Sequence, residues 1–246
     1  MVPGMNGFKV CAQAVLGTLL AFVALLTVLS LAGVVVKALS DTDGSNRLDA
    51  HVLDWMIDRR SDGLTEIMRA VTTLGSTLVL MPLTVVGVVV LSAMRRFWLA
   101  GYLATVVIGA SLLSATTKAI VDRTRPPVDV RLASVGESSF PSGHATQAAA
   151  TYLAVAIIVA IVIRSAVLRR VLWGLCALIV VGVGLSRLYL GVHWFTDVIA
   201  GWSAGAAWAL AVAYVFRPLD PADSDGMPRS FAAFTHPCTW SRSRAA

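Results

Sequence analysis

Charge is scarce in this chain of 246 residues: 14% are Asp, Glu, Lys or Arg, against about 25% in a soluble domain. The shortage is concentrated in long uncharged runs, which excludes an ordinary soluble domain. Cysteine is scarce too. Cys11, Cys176 and Cys238 are far apart, a spacing that supports neither a zinc site nor a disulfide framework. No clustered His, Asp and Glu set suggests a metal; Asp41-x-Asp43 is far too weak a signal, and no cofactor is expected. The net charge of +6 comes from cations scattered at the ends of apolar runs. That distribution suits membrane topology and anionic lipid contact, and does not suggest nucleic acid. No internal repeat is present.

What the chain has in abundance is hydrocarbon, with 57% hydrophobic residues. Six runs stand out, at about Val10–Val36, Leu74–Met94, Trp98–Thr117, Ala145–Ile163, Val171–Leu185 and Val198–Phe216. Most approach the ~20 residues that cross ~30 Å of hydrocarbon at ~1.5 Å per residue. The fifth is short, but extends to Leu190 if Arg187 sits at the interface. Backbone groups in lipid need internal partners, so the runs must be helices. The expected fold is all-α, an integral membrane bundle of six transmembrane helices over residues 1–216. The first run, at 27 residues, exceeds the ~7–15 of a signal-peptide core, and reads as an uncleaved span. Residues 37–70 form a polar outer loop in which Leu48, Val52, Leu53, Trp55 and Met56 recur at helical spacing, suiting an interfacial helix. Residues 217–246, rich in Pro, Ser, Asp and Arg, read as a disordered cytoplasmic tail.

Basic residues divide evenly, ten to each side of the membrane. Three of those on one side, Lys118, Arg125 and Arg187, belong to the clusters described next. The short turns at 95–96 and 164–170 are almost purely basic, which favours both termini in the cytoplasm. One consequence is independent of orientation. Lys118 ends span three, His144 begins span four, Arg187 ends span five and His193 begins span six. Spans alternate in direction, so all four share one face, which is extracytoplasmic when the N-terminus is inside.

Three clusters carry the chemistry. Lys118 and Arg125-Pro126 are seven residues apart. If the helix continues, both cations project from one face, although Pro126 disfavours helix at Arg125. A guanidinium fork suits two phosphate oxygens, and a lysine adds a point charge. Pro141-Ser142-Gly143-His144 precedes an apolar run. Ser142 is an N-cap residue, Gly143 lets backbone approach a ligand, and the first amides point at an anion. His144, in the first turn, can donate a proton to a leaving oxygen. Finally, His193 and Asp197 are four apart and share a helix face. The carboxylate can fix the imidazole tautomer and leave the other nitrogen free to attack. Arg187, across the turn, can reach the same phosphate. Each cluster alone also has a structural reading: snorkelling cations, a capped helix start, a structural His–Asp pair. Their joint presence points to a phosphate cradle with a histidine nucleophile and an acid beside it.

Lys-x6-Arg-Pro, Pro-Ser-Gly-His and Ser-Arg-x5-His-x3-Asp resemble the three-part signature of the type 2 phosphatidic acid phosphatase superfamily. Lys118, Arg125, Pro126, Pro141, Ser142, Gly143, His144, Ser186, Arg187, His193 and Asp197 all match. The resemblance implies metal-independent removal of phosphate from lipid phosphates or diphosphates. In it, His193 forms a phosphohistidine, Asp197 orients it and His144 is the general acid. Lys118, Arg125, Ser142, Gly143 and Arg187 hold the phosphoryl oxygens. Vanadate-binding haloperoxidases share the signature but are soluble, and the six spans argue against them. The expected substrate is a membrane lipid phosphate, with polyprenyl (undecaprenyl) diphosphate first and phosphatidate or phosphatidylglycerophosphate as the alternative. A non-catalytic lipid-phosphate binding or transport protein is the competing class. Intact His144, His193 and Asp197 argue against it, since binding needs only the cations. The expected location is the plasma membrane, with the site facing outward.

Overall fold

The computed structural model describes residues 4–40 and 44–216, with side chains from residue 14 onward. Their regular structure is helical: α1 (Gly4–Ala38), α2 (Arg47–Ile57), α3 (Asp62–Thr73), α4 (Thr77–Ala93), α5 (Phe97–Val121), α6 (Gly143–Val162), α7 (Ala166–Tyr189) and α8 (Phe195–Phe216), with one 3₁₀ turn at Val128–Val130. Six stretches are long and apolar enough to cross a membrane, as expected. The expected tail after residue 216 lies outside the described residues.

Helices α5, α6 and α8 form the centre, where Leu99, Val106, Leu113, Ala150, Trp208 and Val212 are buried together. The outer helices α1, α4 and α7 turn Val15, Leu19, Val85, Val89, Val171 and Leu178 outward. In lipid those faces need no cover, so packing at the centre decides the arrangement. Helices α6 and α8 pack with their backbones close together. A Cβ on Gly201 would lie 2.8 Å from the Ser142 carbonyl, and one on Gly205 would strike that of Thr146. Glycines four apart thus let two backbones touch.

The second span differs from expectation. It begins at Asp62 rather than Leu74, and consists of α3 and α4 joined at a corner. Amides of Leu74, Gly75 and Ser76 bond three residues back, at 3.1, 3.1 and 3.0 Å, tightening the last turn of α3. Gly75 fits the corner because a side chain there would collide with Val183 and crowd the His144 carbonyl.

The polar connection folds into α2 and α3. Asn46 caps α2 by accepting from the amides of Leu48 and Asp49. Leu48 and Trp55 are exposed on α2, and the Arg59 guanidinium lies 4.1 Å over the Trp55 ring. Arg60 then donates to the Tyr189 carbonyl through Nε at 3.1 Å and Nη2 at 2.9 Å, fastening the connection to the end of α7.

Helix α5 ends before Arg125, as Pro126 suggested, so Lys118 and Arg125 do not project from one continuous helix. It stops at Val121, and Asp122 takes a left-handed conformation with φ 44°. Lys37 of α1 stabilises that end, donating to the carbonyls of Val121 at 3.0 Å and Asp122 at 2.6 Å. Arg125 therefore returns to the site through a loop.

Candidate active site

The three clusters meet at one end of the bundle. The Ser142 amide donates to the Asp197 carbonyl at 3.0 Å, joining the starts of α6 and α8. Arg125 donates through Nη1 to the Val192 carbonyl and through Nε to the Gly136 carbonyl, each at 2.5 Å. Lys118 reaches over the loop to the carbonyls of Ser138 at 3.0 Å and Ser139 at 3.2 Å. Arg125, Arg187, His193 and Asp197 are buried, while Lys118, Gly143 and His144 are half-buried.

The network assigns the His193 tautomer. Arg125 Nη1 lies 3.1 Å from Nε2 and can only donate, so Nε2 carries the lone pair. The proton is then on Nδ1, 3.4 Å from Asp197 Oδ2. That carboxylate oxygen also accepts from the Trp194 amide at 2.9 Å. Burial, with the charges of Arg125, Lys118 and Arg187 and the neighbouring His144, holds the His193 pKa well below its ordinary 6.5. The ring is a neutral base at pH 7. Burial lowers Arg125 to about 10, with Asp197 opposing the shift and Arg131 adding to it, so it stays cationic.

Two buried polar atoms in the cluster have no partner within the described residues: Ser142 Oγ and Arg187 Nε. Ser142 occupies the N-cap position, but its hydroxyl makes no capping bond. That part of the sequence expectation is corrected. Arg187 uses Nη1 on Thr72 Oγ1 of α3 at 3.0 Å. Buried polar atoms are rarely left unpaired, so both are donors awaiting an acceptor. A Cβ on Gly143 would sit 3.4 Å from Ser114 Oγ and 3.9 Å from Lys118 Cε. The protein itself tolerates that contact, so what the glycine preserves is open space beside Lys118.

Sequence reasoning missed Arg123, Asp49, Thr196 and Thr72. Arg123 is fully buried and joins Asp197 Oδ1 and Asp49 Oδ2, each at 2.7 Å. The available signal was Arg123-x-Arg125-Pro126, two guanidinium groups where only the second was read. Asp49 is one of seven acidic residues between 37 and 70, and nothing in its spacing set it apart. Thr72 falls at the end of α3, at a corner that hydropathy did not reveal.

Comparison with known proteins adds independent evidence. The PAP2 superfamily profile matches residues 97–220. Phosphatidylglycerophosphatase B of Bacillus subtilis is 35% identical over 148 residues, which span 59% of this chain and 72% of that protein. Decaprenylphosphoryl-5-phosphoribose phosphatase of Mycolicibacterium smegmatis is 36% identical over 127 residues, 48% of this chain and 60% of that one. The crystal structure of a transmembrane PAP2-type phosphatidylglycerolphosphate phosphatase from Bacillus subtilis superposes with a TM-score of 0.71 at 27% identity, covering 80% of this chain and 98% of that one. Profile, relatives and helical bundle agree with the cluster geometry, and the chain belongs to the PAP2 superfamily as a multi-pass membrane phosphatase.

Proposed function

We propose that this phosphatase removes phosphate from a membrane lipid phosphate or diphosphate through a phosphohistidine on His193, without a metal. The observation that carries the reading is the His193 ring, whose lone-pair nitrogen faces Arg125 while its N–H faces Asp197. A phosphoryl group entering beside Arg125 takes up the guanidinium through its oxygens and frees Nε2. Nε2 then attacks phosphorus in line, and the bond to the lipid-side oxygen breaks. His144 gives that oxygen its proton. A water, deprotonated by the same His144, attacks the phosphohistidine and releases phosphate. Lys118, Arg125, Arg187, Ser142 Oγ and the Gly143 amide hold the equatorial oxygens, where phosphoryl transfer needs charge stabilisation. The dianion also supplies the counter-charge that a protonated His144 needs among three cations.

The lead substrate is a polyprenyl diphosphate such as undecaprenyl diphosphate, presented at the outer face of the plasma membrane. A second reading, phosphatidylglycerophosphate, is supported by the name of the relative matched over 72% of its length. Phosphate release from both lipids and phosphatidate, by the detergent-purified chain in excess EDTA, tests the reading. Turnover should persist in EDTA, and the preferred lipid should exceed the others by at least an order of magnitude. Loss of activity in EDTA, restored by a divalent ion, would overturn the metal-free mechanism.

The outward orientation rests on the basic turns at 95–96 and 164–170. In a background lacking Cys11, Cys176 and Cys238, a cysteine replacing exposed Ser134 should react with a membrane-impermeant maleimide in intact cells. One replacing exposed Arg170 should react only after lysis. The reverse pattern places the catalytic face in the cytoplasm and favours the glycerophospholipid substrate.

A further inference from the structure

Arg123 is buried with no exposed surface, and every donor of its guanidinium is used. Nε donates to the Gly44 carbonyl at 3.0 Å. Nη1 donates to Thr196 Oγ1 and to Asp197 Oδ1, both at 2.7 Å. Nη2 serves Asp49 Oδ2 at 2.7 Å, the Gly44 carbonyl at 2.8 Å and Ser40 Oγ at 3.3 Å. Asp49 in turn accepts from the Thr196 amide through Oδ1 at 2.9 Å. Thr196 and Asp197 are adjacent at the start of α8, whereas Asp49 comes from α2. Residue 49 lies outside the stretch 97–220 that the family profile matches.

We propose that Asp49 and Arg123 are positioning residues of the catalytic centre, with Asp49 acting through Arg123 on the carboxylate of Asp197. Two effects follow. Arg123 fixes Oδ1, so Oδ2 is left turned toward His193 Nδ1. Asp49 also takes a share of the guanidinium charge. With two carboxylates around one cation, the cluster keeps a net negative charge beside the imidazole. That charge is needed when Nε2 bonds to phosphorus and the ring becomes positive. Were Asp49 neutral, Arg123 would offset Asp197 alone, and the developing imidazolium would lose its counter-charge. The effect falls on the transition state, because Asp49 lies behind Asp197 and touches no substrate. The first hundred residues therefore contribute to the chemistry as well as to membrane anchoring.

The inference rests on the phosphohistidine reading, and the test separates the two. Asp49→Asn keeps the shape of the side chain but has one acceptor oxygen in place of two, so it serves either Arg123 Nη2 or the Thr196 amide, and the melting temperature reports what that exchange costs the fold. The full-length chain is assayed in detergent with dioctanoyl phosphatidylglycerophosphate and farnesyl diphosphate. Asp49→Asn should lower kcat about tenfold or more, while KM stays within twofold and the melting temperature within a few degrees. In an Arg123→Gln background, the same substitution should cause little further loss. An unchanged kcat in Asp49→Asn overturns the proposal, as does a loss carried by KM or by the folded fraction. Full additivity with Arg123→Gln overturns it too, since Asp49 then acts by another route. If Arg123→Gln does not fold, the kcat-against-KM split of Asp49→Asn alone decides. If the wild type releases phosphate from neither probe, the catalytic reading fails first and takes this inference with it.

Discussion

Replacing His193 by alanine is expected to lower kcat by about 10⁴-fold or more, the scale seen when a nucleophile is removed from a unit that acts together. The fold should survive. Arg125 keeps its bonds to the carbonyls of Val192 and Gly136. Asp197 keeps Arg123 and the Trp194 amide. With radiolabelled lipid phosphate and an alkaline quench, which preserves the acid-labile phosphoimidazole, wild-type protein should retain label and the His193→Ala protein none. Turnover at the wild-type rate in that variant, or label bound equally by both, assigns the nucleophile elsewhere.

Asp197→Asn should be nearly as damaging, for a reason that the hydrogen bonds make specific. Arg123 Nη1 donates toward Oδ1 at 2.7 Å, so an asparagine places its oxygen there. Its NH₂ then faces the Trp194 amide and His193 Nδ1, two positions occupied by donors. Once a phosphoryl group has taken up the Arg125 guanidinium, the ring relieves the second clash by moving its proton to Nε2, the nitrogen that should attack; before that, Nε2 still faces the Arg125 donor, so both tautomers of the free site are opposed. A wrong tautomer of this kind costs on the order of 10⁴-fold in kcat in a related oriented-histidine site. Asp197→Ala removes the orientation but does not force the wrong tautomer. Steady-state phosphate release should therefore find the asparagine variant at least as slow as the alanine one. An asparagine variant much faster than the alanine variant would remove the tautomer argument.

Most of the site was legible because its chemistry is written locally. Pro-Ser-Gly-His needs only a helix start to bring its groups together, and hydropathy located that start closely; His193, expected to share a helix face with Asp197, instead lies two residues before α8 begins at Phe195 and meets Asp197 from the turn. The alternation of spans then placed all three clusters at one end. What escaped is non-local. Arg123 is held by Asp49, 74 residues away, and no periodicity relates a loop arginine to an acid in α2. The Thr72–Arg187 contact spans 115 residues and depends on the α3–α4 corner, whose apolar run continues without interruption on one side. The end of α5 was legible only in part. Pro126 marks where helix is forbidden, but α5 stops earlier because Lys37 of another span stabilises Asp122 in its left-handed turn.

The backbone contact at Gly201 and Gly205 separates two jobs that many enzymes entangle. The starts of α6 and α8, beside which the two imidazoles lie, are set where the helices touch, with only the small side chains of Ala145, Thr146 and Ala149 facing the glycines. The outward faces of α1, α4 and α7 take no part in that contact. Residues on those faces can drift without disturbing the packing that brings the starts of α6 and α8 together. A scaffold organised this way holds its centre fixed while its periphery changes. Relatives named for a glycerophospholipid and for a polyprenyl sugar phosphate are the kind of diversity it permits.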